Sequence, residues 1–169
     1  MTSDAPPVNR EPFDPSDVTW TPVSRQLIGA RLTVTAIVLV PLVLLLAVIP
    51  VAAEEPWLWA LPAAVVLIGL WIVWLVRRQV GAMAYAERAD DLLVRRGIML
   101  RSMVVVPYGR MQYVDVNAGP LARLFGIATV QLHTAAPATS AAISGLPPQE
   151  AARLRDRMAS RGEARLAGL

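Results

Sequence analysis

The chain has 169 residues, 55% of them hydrophobic, with no cysteine and a formal charge of +3 in which all sixteen basic residues are arginine. It is too apolar for an average soluble domain, and the lack of thiols excludes a disulfide framework, a thiolate metal site, a cysteine nucleophile and lipidation through cysteine. With no basic helix and no aromatic stacking motif, a pI near 10.2 points to an anionic membrane surface and not to nucleic acid.

Residues 1–23 hold five prolines among acidic and small side chains. Such a stretch buries too little apolar surface to order itself, and a disordered tail is expected. Its large side chains are Phe13 and Trp20, the latter placed as an interfacial anchor. Ser24 is a candidate helix N-cap. Two uncharged runs follow, residues 32–53 (22 residues) and 57–76 (20 residues). At about 1.5 Å per residue they reach roughly 33 and 30 Å, enough for a hydrocarbon core of about 30 Å. The expected unit is a two-span transmembrane hairpin over residues 24–78, because a soluble fold of this size cannot wrap two such helices. Pro41 is expected to bend the first. Trp57 and Trp59 mark one end of the second span, Trp71 and Trp74 the other, in the pattern of aromatic belts. Arg25 and Arg31 precede the spans, Arg77, Arg78 and Arg88 follow them, and the connecting turn carries Glu54 and Glu55. Positive flanks stay inside, which predicts a multi-pass plasma-membrane protein with both termini cytoplasmic. No ionisable residue interrupts either run, so the usual marker of an ion or proton path is missing.

Beyond Arg78 the pattern changes to short β-branched and aromatic segments broken by turn signals. Strands are expected at 85–88, 92–96, 98–101, 103–106, 113–117, 127–134 and 141–144. Asp90 with Asp91, Gly97, and residues 107–110 supply the turns. A short helix between Gly119 and Gly126 would share Leu121, Leu124 and Phe125 on its apolar face. The last element opens at Pro147 and Pro148, has Glu150 in its first turn, and spaces Ala151, Leu154 and Met158 for an amphipathic helix capping the sheet. The domain is bounded at 82–160, and residues 161–169 are expected to fray.

The runs YAERADDLLVRRG (85–97), VVVPYGRMQYVDV (104–116), GPLARLFGIATVQLHT (119–134) and ISGLPPQEAARL (143–154) resemble the bacterial pleckstrin-homology-like membrane protein family. The likeness covers most of residues 82–160, and the pair of spans ahead of it extends it over nearly the whole chain. The resemblance implies a membrane α-helical hairpin followed by a small bent antiparallel barrel with one C-terminal capping helix. It implies no catalytic residues, no cofactor and no defined ligand.

The single histidine, His133, has no ligand cluster near it in sequence and reads as a surface or satisfied strand residue. Among the carboxylates, Glu87, Asp90, Asp91 and Asp115, two stand in a turn where they serve the backbone. Gly119, Gly126 and Gly145 are too widely spaced for a nucleotide loop. The arginines are more informative: Arg77, Arg78, Arg95, Arg96, Arg101 and Arg110 are candidate anionic-lipid contacts, each worth about 1 kcal/mol near a charged surface. These features predict a non-enzymatic, metal-free, membrane-anchored interaction module that docks a partner membrane protein of the same family, or a second copy of itself. Alternatively, it is an accessory that handles a lipid headgroup or amphipathic ligand for an export or resistance system. The small residues Ala63, Ala64 and Gly69 are candidates for close helix contact in the membrane.

Overall fold

The structure is a computed structural model that describes residues 18–135 and 140–167. Phe13 and most of the expected tail therefore lie outside the described residues. The part that is described does not behave as a tail. Residues Thr21–Pro22 form a short strand, β1, that pairs antiparallel with β2 (Ala84–Glu87), and Val23 is buried. The polar, proline-rich composition hid this, because two residues of pairing need only a sheet edge to receive them.

Helix α1 (Gln26–Ala53) contains both Pro41 and Pro50, and helix α2 (Ala60–Gly81) follows a 3₁₀ turn over Pro56–Trp59. Arg25, not Ser24, occupies the N-cap position of α1 and makes no side-chain cap bond, while Ser24 Oγ just before it accepts the Gln26 N–H at 3.2 Å. At the turn Glu54 adopts φ 54°, and the chain reverses within a few residues. Both helices are long and apolar enough to cross a membrane, and outward side chains of the hairpin are exposed, Trp57 and Trp59 in the turn and Trp71 and Trp74 on α2 among them. The helices touch closely at Gly69, where an added Cβ would stand 3.1 Å from the Leu39 side chain. One of the small residues expected to allow close helix contact thus serves contact within the hairpin.

After α2 the chain builds two antiparallel sheets. One has the order β1-β2-β3-β4, with β3 at Asp91–Arg96 and β4 at Ser102–Pro107; the other has the order β5-β6-β7, with β5 at Met111–Asn117, β6 at Ala128–Thr134 and β7 at Ala141–Leu146. A 3₁₀ turn over Tyr108–Arg110 leads from β4 to β5, and these two strands do not pair, so the expected barrel is open along that seam. Alternation sets the faces. In β6, Ala128, Val130, Leu132 and Thr134 point inward, while Thr129, Gln131 and His133 point out, the period of two that a half-buried strand requires. Helix α4 (Pro148–Ala167) lies across the core through Ala151, Leu154 and Met158, all fully buried as their spacing predicts. It continues through residues where fraying was expected.

Two further expectations fail. Residues 98–101 are not a strand but the tip between β3 and β4, whose pairing ends at Arg96 opposite Ser102. Gly97 turns the chain there with φ 95°, a conformation open chiefly to glycine. Helix α3 (Pro120–Leu124) uses Ala122 and the following Phe125, not Leu124, against the core. Phe125 seats on α1, where a Cβ on Gly29 would come within 2.8 Å of its ring.

The base of the hairpin belongs to the domain core. Val23, Leu27, Ala30 and Val80 share one hydrophobic cluster with Leu92, Val130 and Leu146, and the Ser24 N–H donates to the Gly145 carbonyl at 2.8 Å. Gly145 has φ 83°, and a Cβ on it would meet Leu27 at 2.9 Å. Gly145→Ala therefore combines backbone strain with a clash, and we expect it to destabilise the protein by about 1–3 kcal/mol. Gly81→Ala, which meets nothing within 4 Å, should leave the denaturation midpoint of the detergent-solubilised protein close to wild type. Equal midpoints for the two variants would remove Gly145 as the joint.

Candidate functional site

The six arginines proposed as lipid contacts do not form one patch. Arg77 and Arg78 are exposed near the end of α2, with the Arg78 guanidinium 5.2 Å from the Trp74 ring centroid. Arg95 and Arg96 end β3 beside the base of the hairpin, and Arg101 stands just before β4. Arg95 lies over the Trp20 ring at 4.5 Å, so Trp20 packs under a β3 side chain. Arg110 is at the other end of the sheet. It follows Pro107, which pairs with Asp91, whereas Arg96 pairs with Ser102. A strand of that length separates the two ends by about 17 Å. Arg110 is thus no part of a common cluster, because β4 carries the chain away from the hairpin before the corner that bears it.

A polar clamp that sequence reasoning missed holds α4 to the first sheet. The Tyr85 hydroxyl donates to Glu150 Oε1 at 2.8 Å. The Arg153 guanidinium donates to Glu150 at 2.6 and 2.9 Å and to Glu87 at 2.7 Å, and Arg157 reaches the other Glu87 oxygen at 2.9 Å. Charge-assisted bonds of this kind are stronger than neutral ones. The Arg153 bond, helped by Tyr85 and opposed by partial burial, holds the Glu150 carboxyl below its ordinary range. Burial, then the carboxylate it faces, pushes the Tyr85 phenol well above its own. The i, i+3 spacing of Glu150 and Arg153 was readable in sequence. Their link to Tyr85 and Glu87, more than sixty positions earlier, was not.

On the outer face of the second sheet, Tyr113 and His133 stack with centroids 4.3 Å apart, and His133 Nε2 lies 3.6 Å from Asp115 Oδ2. His133 is thus partnered on its strand. Among the described residues no group of three His, Cys, Asp or Glu side chains could hold a metal ion.

Among the described residues, β5 leaves one side unpaired. It is the edge strand of its sheet, and its register slips at Gln112, between the pairs Met111↔Thr134 and Tyr113↔His133. Beside it runs a cleft of about 330 Å³ whose far wall is α4, at Arg155, Met158 and Ala159. Tyr113 stands 53% exposed at its rim. An edge strand beside a helix wall can pair its backbone with an extended segment and take that segment's side chains into the groove.

A profile of the family described as Bacterial PH domain matches residues 23–162. The chain belongs to the bacterial PH domain family. The match opens at Val23, the first buried core side chain among the described residues, and includes both apolar helices. This bacterial PH domain protein is also 36% identical over 104 residues to the "UPF0699 transmembrane protein YdbS" of Bacillus subtilis (strain 168), an alignment over 59% of this chain and 63% of that relative. The chain thus covers somewhat less than two thirds of the relative's length. No solved structure matches it. With its two apolar helices, it is a membrane protein that carries a bacterial PH domain.

The lowered pKa of the Glu150 carboxyl predicts that the attachment of α4 weakens in acid. A carboxyl whose pKa is lowered by folding stabilises fully above its unfolded value, 4.5 for glutamate, and loses that contribution as pH falls through the lower folded value. We expect unfolding midpoints that hold from neutral pH down to about this range and then fall in more acid solution. Glu150→Gln should be less stable at neutral pH and show a shallower acid decline in the same titration. A decline as steep as that of wild type would assign the effect to other carboxylates.

Proposed function

We propose that this protein is a membrane-anchored, non-catalytic docking module. Its hairpin fixes it in the bilayer, and its PH domain receives an extended segment of a partner membrane protein, or of a second copy, at the β5 edge. The observation that carries this reading is the unpaired outer side of β5 facing the α4 cleft. Strand addition draws its affinity from backbone hydrogen bonds and its specificity from groove side chains, which suits an edge strand lying beside a helix wall. Catalysis is a poorer fit. His133 faces a tyrosine ring and an exposed carboxylate. The hairpin offers no charged group inside its spans from which to build a transport path.

In this reading both termini and the PH domain are cytoplasmic. Basic residues flank the spans on the domain side, and Glu54 and Glu55 occupy the turn, in line with the rule that arginine-rich flanks stay inside. Because the chain has no cysteine, single-cysteine variants report topology directly. Glu54→Cys should react with an impermeant maleimide on intact cells, and Ser160→Cys only after the cells are opened. The reverse pattern would invert the protein.

Docking is tested by placing a photo-crosslinking amino acid at Tyr113 of the full chain in native membranes. A discrete adduct, either a dimer or a single heavier species, should form. The same group placed at Arg110, outside the groove, should give little. No adduct from Tyr113, together with a monomeric mass in several mild detergents, would overturn docking. Handling of a lipid headgroup or amphipathic ligand would then become the better reading.

A further inference from the structure

Among the described residues, the tip between β3 and β4 carries the two most exposed large hydrophobic side chains. Met99 is 93% exposed and Leu100 89%, side by side in the sequence Gly-Ile-Met-Leu-Arg at residues 97–101. Single exposed hydrophobic residues need no explanation, but adjacent long ones held at a hairpin tip present a patch. The tip is well defined. Pairing persists to Arg96 opposite Ser102, and a Cβ on Gly97 would collide with the Leu100 carbonyl, so the turn is tight and specific to glycine.

Its place beside the hairpin gives the patch a meaning. The tip and the helix pair together enclose an open cleft of about 500 Å³. Ile98, Met99 and Leu100 line one wall, and Arg31, Leu75 and Gln79 line the other. Leu75 belongs to the uncharged run that ends at Val76. One turn beyond it, Arg31 donates to Gln79 Oε1 at 3.4 Å, a polar pair joining α1 and α2 where the spans end. The tip therefore stands level with the last turn of the second span. Arg96 and Arg101 bracket it with positive charge, and both are exposed. A second exposed apolar side chain, Leu124 at 77%, sits on α3 next to Phe125, which packs on Gly29. Gly29 is two residues from Arg31, about 3 Å of helical rise.

We propose that residues 97–101 form a membrane-inserting finger: Met99 and Leu100 enter the acyl boundary of the leaflet from which the hairpin emerges, while Arg96 and Arg101 rest among the phosphates. The occupant of the patch is lipid, because the bilayer is present wherever the spans are, and the cleft places the tip against it. Apolar tips with basic flanks suit this depth, since long side chains bury their stems and keep the charge at the interface. The inference rests on the chain being a membrane protein and is independent of docking at β5.

The cysteine-free background permits a direct depth measurement. The full chain carrying Met99→Cys, labelled with an environment-sensitive fluorophore, is reconstituted into phosphatidylcholine–phosphatidylglycerol nanodiscs. Its emission should shift to the blue and lose most of its intensity to quenchers attached high on the acyl chains. Ser160→Cys, on α4 next to the Arg161 that bonds to Tyr108 at the far end of the sheet, should remain water-like and unquenched. Quenching at Met99 should survive high salt, because burial of apolar surface is not screened as charge contacts are. A Met99 probe as wet as the Ser160 probe would overturn the proposal. So would a blue shift that appears in native membranes but not in the discs, which would assign the patch to a partner protein.

Discussion

One packing contact governs the rest of the structure: the first turn of α1 inserted into the domain core, with Leu27 seated on the Cβ-less face of Gly145. A helix that approaches a strand this closely needs a missing side chain at the crossing, and Gly145 provides it in a backbone conformation that other residues adopt only with strain. A second crossing uses the same device, Phe125 on Gly29. Val23, Ala30 and Val80 complete the joint by placing both ends of the hairpin in the cluster that the sheets enclose. The hairpin and the β-domain therefore share a core, although one is built for lipid and the other for water.

With its start tied to α1, the domain secures its other end through charge. Helix α4 is pinned by a buried apolar stripe and by the Tyr85–Glu150–Arg153–Glu87–Arg157 clamp. Neither carboxylate in the clamp is left alone, as a partly buried charge requires if it is to stabilise and not disrupt. The clamp also takes up arginines that composition alone would assign to the membrane. Net charge thus says less about lipid contact than the position of each guanidinium relative to the ends of the spans.

Much of this was legible from sequence because it rests on local periodicity. The two spans, the Ala151–Leu154–Met158 stripe, the turn at Gly97 and six strands of the domain all follow from spacing and turn chemistry. What could not be read depends on pairing across long separations. Thr21–Pro22 joins the sheet only because β2 offers an edge more than sixty residues later. Residues 98–101 have the apolar character of a strand, yet the ladder that would hold them ends at Arg96 opposite Ser102. Leu124 was assigned inward by helical spacing, but α3 is too short for its periodicity to set its orientation, and Phe125 decides it by docking on α1. The arginines divide for the same reason, since strand direction and not sequence proximity determines which end of the sheet each one reaches.

The shared core has a mechanical consequence. A helix pair joined to its domain by a flexible linker can lean in the bilayer without moving the domain, but here the lean passes through Leu27 and Gly145 into the strands. Membrane helices tilt by about 20° on average and adjust that tilt to bilayer thickness. Over a strand about 17 Å long, such a tilt sweeps the far end of the sheet sideways by about 6 Å. Through this joint the height and angle at which β5 faces the solvent would follow the lipid around α1 and α2. A change in membrane thickness would re-aim that edge without altering a single contact inside the protein.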